Sequence, residues 1–444
     1  MIKVNFKTEK NGISSSSRKE IYTLVQINSD EKRQDKERSP LNIAVALDRS
    51  GSMRGLPLDE AKLCVEMMID RLSSEDHFSL VAYDNNVDVV VPATKALNKE
   101  WLKAQVRSIR SGGMTALYDG WSSAAAEAAK HVTKKSVSRV LLLSDGQANE
   151  GLTDQDEIAS HCVQMASVGV STTTYGLSEN FNENLMSAMA KSGKGMAHYG
   201  QTAEDLAEPF QSEFDLINAL TARDLKLHLI AEPGVEFEVM NKFQRNLDGS
   251  FVMSDLADGG ELWALLKIKV SKNNLNRATY GKLRILSAFL DYKNMDGESC
   301  RTEYSHLNLD LISDSDFASL ETEELVSLRK IELEAANLQD AARVAARRYD
   351  WDEVNDLVAQ LDMLGVENAW VRESTKKLRE YADSRETERF SKEAFYKSDR
   401  MRTRMGVRNE SASYIPEAEA MEVPSFLRRK VEFGKKSHTN RRNS

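Results

Sequence analysis

Between Leu41 and about Leu220 short apolar runs alternate with amphipathic stretches of helical period. The runs "LNIAVAL", "HFSLVAY", "VDVVV", "RVLLLS", "VSTTTYG" and "GMAHYG" predict strands. The stretches "PLDEAKLCVEMMIDRL", "ALYDGWSSAAAEAAKHV", "DQDEIASHCVQMAS" and "TAEDLAEPFQSEFDLINAL" predict helices. In the first of these, Leu58, Ala61, Val65, Met68 and Leu72 recur three or four residues apart, which places them on one helical face. Strands alternating with helices predict an α/β domain over residues 41–220, with a doubly wound, mainly parallel sheet. "LNIAVAL" and "RVLLLS" are apolar nearly throughout, as strands covered by helices on both faces are.

From about Thr221 to Ser313 the pattern changes to strands alone. "DLKLHLIAE", "GVEFEVM", "GSFVMSDL", "ELWALLKIKV", "GKLRILSAFLDY" and "SCRTEYSHLNLDL" alternate at period two between Gly, Asp and Asn turns, which predicts a β-sandwich over residues 221–313. The strand-like runs "IKVNFKTE" and "EIYTLVQINS" in residues 1–38 have no other partner, so they are expected to complete the sandwich, with the α/β domain inserted into it. The charged linker "DEKRQDKERSP" is expected to lie exposed. Residues 317–405 read as helices: "LETEELVSLRKIELEAANLQDAARVAARR", then "WDEVNDLVAQLDML" with Asp350 as cap and Gly365 as stop, then one long helix from Val371. The tail, residues 406–444, is poor in apolar residues and is expected to be disordered.

Composition narrows the function classes. A chain of 444 residues with 41% hydrophobic and 29% charged residues is long enough for two or three ordinary domains. A formal charge of −9 argues against nucleic-acid binding by the whole chain. The tail residues Arg428, Arg429, Lys430, Lys435, Lys436, Arg441 and Arg442 leave phosphate or acidic-membrane contact as a local alternative. No run of roughly 18 apolar residues is present to span a bilayer, and the N-terminus lacks the apolar core of a signal peptide. Cys64, Cys162 and Cys300 are far apart and odd in number, so reduced core thiols and a cytoplasmic location are expected.

The chemistry gathers where strands end. "LNIAVALDRSGSM" turns after its apolar run and presents Asp48, Ser50 and Ser52 at alternate positions. "SGGMTALYDG" presents Thr115 after two glycines and before a helix, and "LLLSDGQANEG" presents Asp145 directly after a strand. In an open α/β sheet, ligands bind beyond the carboxyl ends of the strands. Two carboxylates and three hydroxyls, with no His or Cys in the three loops, suit Mg²⁺ or Mn²⁺ rather than zinc or copper. So few anionic ligands leave the ion an unfilled position that suits a carboxylate from a partner.

These loops resemble the metal-ion-dependent adhesion site of von Willebrand factor type A domains, whose pattern is D-x-S-x-S, a distant Thr and a distant Asp. The resemblance covers roughly residues 41–220. It implies that Ser50, Ser52 and Thr115 coordinate the metal through hydroxyls, that Asp48 and Asp145 act directly or through water, and that a protein partner supplies Asp or Glu. Arg49 occupies a position the family leaves open. The flanking strands and helices resemble bacterial multidomain proteins with an inserted A domain. The expected function is therefore a non-enzymatic, metal-dependent protein-interaction module, a scaffold or adaptor in a cytosolic complex. The rival classes are a metal-dependent hydrolase and a nucleic-acid binder acting through the tail. No P-loop, H-E-x-x-H or nucleophile elbow supports an enzyme. "KNMDGESC" reads as a hairpin turn at Asp296-Gly297 rather than a calcium loop. His161 and His198 read as packed or surface residues.

Overall fold

The computed structural model describes residues 2–14, 20–29, 38–145, 147–177, 181–200, 203–271, 281–403 and 406–407. Most of the expected charged linker and nearly all of the expected basic tail lie outside the described residues. The chain forms two compact units, one of Met1–Asp35 with Ala219–Ser444, the other of Lys36–Asn218.

The discontinuous unit begins with β1 (Ile2–Thr8), β2 (Ile13–Ser14) and β3 (Glu20–Ser29). β1 turns Ile2 and Val4 inward and pairs antiparallel with β3, from Ile2↔Ser29 to Thr8↔Thr23.

The continuous unit then runs β4 (Leu41–Asp48), α1 (Leu56–Arg71), β5 (His77–Tyr83), β6 (Val87–Lys95), α2 (Lys99–Ser108), α3 (Leu117–Ala129), β7 (Val137–Ser144), α4 (Gln155–Ser167), β8 (Val170–Leu177), α5 (Glu183–Ser192), β9 (Lys194–Gly200) and α6 (Ala203–Asn218). Its strands pair in the order β6-β5-β4-β7-β8-β9. All these pairs are parallel except the β5–β6 hairpin. β4 and β7 lie side by side at the centre with every residue buried, which is why both read as unbroken apolar runs. The five apolar positions read on α1 are all buried. Helices α2 and α5 were absent from the sequence expectation. Each starts at an asparagine cap: Asn98 Oδ1 accepts from Trp101 N at 3.0 Å and Asn182 Oδ1 from Leu185 N at 3.1 Å.

On returning to the first unit the chain forms β10 (Leu220–Ala231), β11 (Val235–Val239), β12 (Phe251–Val252), β13 (Leu256–Ala257), β14 (Gly260–Val270), β15 (Lys282–Asn294), β16 (Ser299–Arg301) and β17 (Ser305–Ile312). One sheet has the order β1-β3-β14-β11 and the other β12-β10-β15-β17-β2. Val25, Ile27 and Leu266 of the first share one core with Leu227, Leu290 and Leu309 of the second. "GSFVMSDL", expected as one strand, is two short pieces. A register shift in β10 at Asp224, whose φ is +57°, interrupts the edge on which they pair. "SCRTEYSHLNLDL" likewise divides into β16 and β17, where Thr302 Oγ1 leaves the ladder to accept from Leu290 N at 3.0 Å. Cys64 and Cys162 are buried free thiols, but Cys300 on β16 is half-exposed and not a core residue. Gly297 turns the β15–β16 hairpin at φ +80°.

The helices are α7 (Asp314–Ser319), α8 (Glu324–Arg347), α9 (Trp351–Glu367), α10 (Ala369–Asp383) and α11 (Thr387–Thr403), followed by the two-residue β18 (Gly406–Val407) on β14. Asp350 caps α9, accepting from Glu353 N at 3.1 Å. Gly365 does not end that helix. It lies inside it, where a Cβ would come within 2.9 Å of Arg372 Cα on α10. The expected single helix from Val371 breaks at Arg385, which takes φ +54°, and α11 then packs along α8. No described helix is long and apolar enough to cross a membrane.

Candidate metal centre

The chain enters the sheet at β4, adds β5 on one side and β7 on the other, so strand order reverses between β4 and β7. Asp48 ends β4, Ser144 ends β7, and Asp145 follows it, so both carboxylates stand at the carboxyl ends of adjacent parallel strands. Asp48 Oδ1 accepts from Ser50 N at 2.8 Å, and Oδ2 accepts from Ser144 Oγ at 2.6 Å. Ser50 Oγ lies 3.1 Å from Ser52 Oγ, which donates to Asp145 Oδ1 at 2.8 Å. Four of the five residues read from the sequence thus form one hydrogen-bonded chain. Asp48, Ser50, Thr115 and Asp145 are buried, whereas Ser52 is exposed and marks the open side.

Thr115 arrives by another route. Gly51 N donates to Gly113 O at 2.8 Å and Gly112 N to Arg49 O at 2.7 Å, which joins the second loop to the first. Thr115 N donates to Asn149 Oδ1 at 3.0 Å and Asn149 N to Thr115 O at 3.3 Å, which joins it to the third. The Thr115 backbone is fixed on both sides, and its hydroxyl takes no part in the Asp48–Asp145 chain.

Burial pushes the Asp48 carboxyl up to about 6, and the charge of Asp145 adds to this, against the lowering effect of the Ser144 and Ser50 donors. Burial also raises Asp145. Arg49 sits between Asp48 and Ser50 in sequence but turns aside. Its Nε donates to Asp84 Oδ2 at 3.2 Å and its Nη2 to Asp88 Oδ2 at 2.6 Å. It is therefore an ion-paired residue whose charge is directed to the turn after β5 and to β6. Two buried, mutually repelling carboxylates with hydroxyl oxygens around them form a donor set that fits a hard divalent cation, which would stabilise both in ionised form. Ser144, Asp84, Asp88 and Asn149 are supporting residues that the sequence pattern did not single out. Ser144 and Asn149 stand inside the third loop's own motif, and their placement there was the available signal.

An α/β unit of this strand order, with oxygen donors at its switch point, defines the class, and the comparisons identify the domain. Residues 42–212 match the von Willebrand factor type A domain, and the chain contains such a domain. These domains commonly serve as metal-dependent protein-interaction modules. The chain is 29% identical over 198 residues to an uncharacterized protein of Synechocystis, covering 43% of this chain and 46% of the relative. It is 26% identical over 238 residues to the uncharacterized protein YfbK of Escherichia coli, covering 52% and 41% respectively. An inter-alpha-trypsin inhibitor heavy chain of Mesocricetus auratus is 28% identical over 167 residues, 36% of this chain and 19% of that one. The chain thus spans less than half the length of these relatives. A solved von Willebrand factor type A protein from Catenulispora acidiphila shares the fold over 93% of this chain and 97% of its own, with a TM-score of 0.70 at 15% identity. The ArnB paralog VWA2 from Sulfolobus acidocaldarius does so over 89% and 99%, with a TM-score of 0.58 at 15% identity.

Proposed function

We propose that this protein binds a partner through a Mg²⁺ or Mn²⁺ ion held by Asp48, Ser50, Ser52, Thr115 and Asp145. The observation that carries this reading is the buried pair Asp48 and Asp145, joined through Ser50 and Ser52 with no cationic side chain between them among the described residues. When bound, the ion supplies a Lewis-acidic position that a partner's Asp or Glu can fill. The protein's own groups do the rest. Ser144 and the Ser50 amide orient Asp48, the Asn149 contacts hold the Thr115 loop, and exposed Ser52 leaves one side open to the partner. Binding rather than turnover is the reading we favour, because both buried carboxylates would be taken up as ligands, which leaves neither of them as a general base.

The discontinuous unit is proposed to be a β-sandwich with its helical extension, into which the A domain is inserted. A scaffold or adaptor role in the cytoplasm of a bacterium fits the bacterial relatives and the two buried free thiols.

The test has two stages. Mn²⁺ binding is followed by electron paramagnetic resonance on wild-type protein and on Thr115→Ala, with saturable binding expected in the first and a large loss in the second. Affinity capture with Mg²⁺, with EDTA and with Thr115→Ala then follows. A partner lost in both controls supports the reading; equal capture in all three overturns it.

A further inference from the structure

The second loop carries Thr115 to the candidate metal centre, and the turn after β5 receives it. Asp84 O accepts from Ala116 N at 2.9 Å, and Tyr83 O accepts from Arg49 N at 2.8 Å. A Cβ on Gly112 would collide with the Asp84 carboxylate, so the loop's glycine is dictated by this contact. Asp84 Oδ1 accepts from Asn86 N at 2.8 Å, while Oδ2 takes the Arg49 Nε, and these donors hold the carboxyl below its usual range although burial opposes them. Arg49 uses a second arm on Asp88. The guanidinium that belongs to the D-x-S-x-S loop is thereby committed to two carboxylates outside the site.

The geometry points to Asp84, assisted by Asp88, as a positioning residue of the metal centre: it keeps the Arg49 guanidinium away from Asp48 and Asp145, so that this carboxylate pair stays available to a divalent cation. The inference rests on the proposed metal-binding function. Arg49 is attached one residue from Asp48, its side chain is long and always charged, and a guanidinium pairs with carboxylates through parallel hydrogen bonds. Released from Asp84 and Asp88, it becomes an internal competitor for the two buried acids. Held there, it also ties the first loop to the turn that seats the second.

The test uses the full chain and Mn²⁺ titration read by electron paramagnetic resonance, with circular dichroism melts in EDTA as a fold control. Wild type and Thr115→Ala establish first whether the centre binds metal; no binding in wild type overturns the proposed function itself. Given binding, Asp84→Asn keeps the side-chain volume and the backbone acceptor but removes the charge, and is expected to weaken Mn²⁺ affinity about tenfold or more. Adding Arg49→Gln to Asp84→Asn is expected to restore affinity to within about threefold of wild type, a non-additivity that a merely structural Asp84 does not produce. Asp88→Asn alters an exposed residue and serves if Asp84→Asn does not fold. It should weaken affinity about threefold, again only while Arg49 is present. Unchanged affinity in Asp84→Asn, or a double variant as weak as the single one, overturns the proposal. So does an Asp88→Asn effect that persists without Arg49.

Discussion

Glu213 and Asp48 are carboxylates of the same unit, and both are almost wholly buried, yet their surroundings are opposite. Glu213, on α6, pairs with Arg139 of β7 and accepts from Thr173 Oγ1 of β8 at 2.9 Å, and His198 Nε2 of β9 lies 3.7 Å from it. One acid thus fastens α6 to the adjacent strands β7 and β8. Asp48 faces another acid, and the nearest arginine in sequence is paired elsewhere. A buried charge that carries its own counter-ion is explained by the fold. A buried pair of like charges is not, and it is there that we propose a ligand from outside.

The contrast is most severely tested at Glu213. Glu213→Ala strands Arg139 without its carboxylate, and should lower the unfolding free energy by about 3–5 kcal/mol in urea titrations. Mn²⁺ affinity of the remaining folded protein should stay within about twofold, and a loss below about 1 kcal/mol would erase the distinction between the two acids. Asp48→Asn should do the reverse. In EDTA at pH 8 it removes an ionised group that burial disfavours, and should raise stability by up to about 3 kcal/mol while abolishing Mn²⁺ binding.

The same carboxyl sets a pH dependence with a definite sign. Its folded value of about 6 lies above the ordinary 3.8, so between these values the folded state holds a proton that the unfolded state has lost. In metal-free protein its contribution to stability therefore rises as pH falls through about 6 toward 4, by about 1.4 kcal/mol per pH unit at most. Mn²⁺ affinity should move the other way, falling about tenfold per unit below pH 6 as protons compete for Asp48. Urea titrations of wild type against Asp48→Asn across pH 4–8 isolate the first effect, and metal titrations the second. A small change outside the contrast completes the series. Asp350→Ala removes the cap of α9 and should cost about 1 kcal/mol with no change in metal affinity.

The central strands, and the loops at their ends that the structure brings together, were legible because their signals are local. Unbroken apolar runs mark strands covered on both faces, and D-x-S-x-S places its oxygens by loop geometry alone. What supports them was not local. The Arg49 pairing depends on the turn and register of the β5–β6 hairpin, and the Glu213 clasp depends on where α6 meets β7 and β8. The break at Arg385 carries no Gly or Pro, so the helical pattern ran through it; Gly365, a usual stop, is instead a packing residue. Helices α2 and α5 were missed although Asn98 and Asn182 announce them, since asparagine before a charged first turn reads equally well as a loop.

The pairing of β3 with β14 has a consequence for how the molecule is made. Asn28 is the register partner of Glu261, so once made the β1–β3 hairpin waits while more than two hundred further residues are translated. At roughly 5–20 residues per second, that interval is on the order of 10 to 50 seconds. The continuous unit, whose strand pairings all fall within its own segment, can fold in that time, whereas the β1–β3 hairpin keeps an unpaired edge until β14 emerges. The window in which this protein is open to a chaperone, or to wrong pairing with a neighbour, is thus written into the order of its strands.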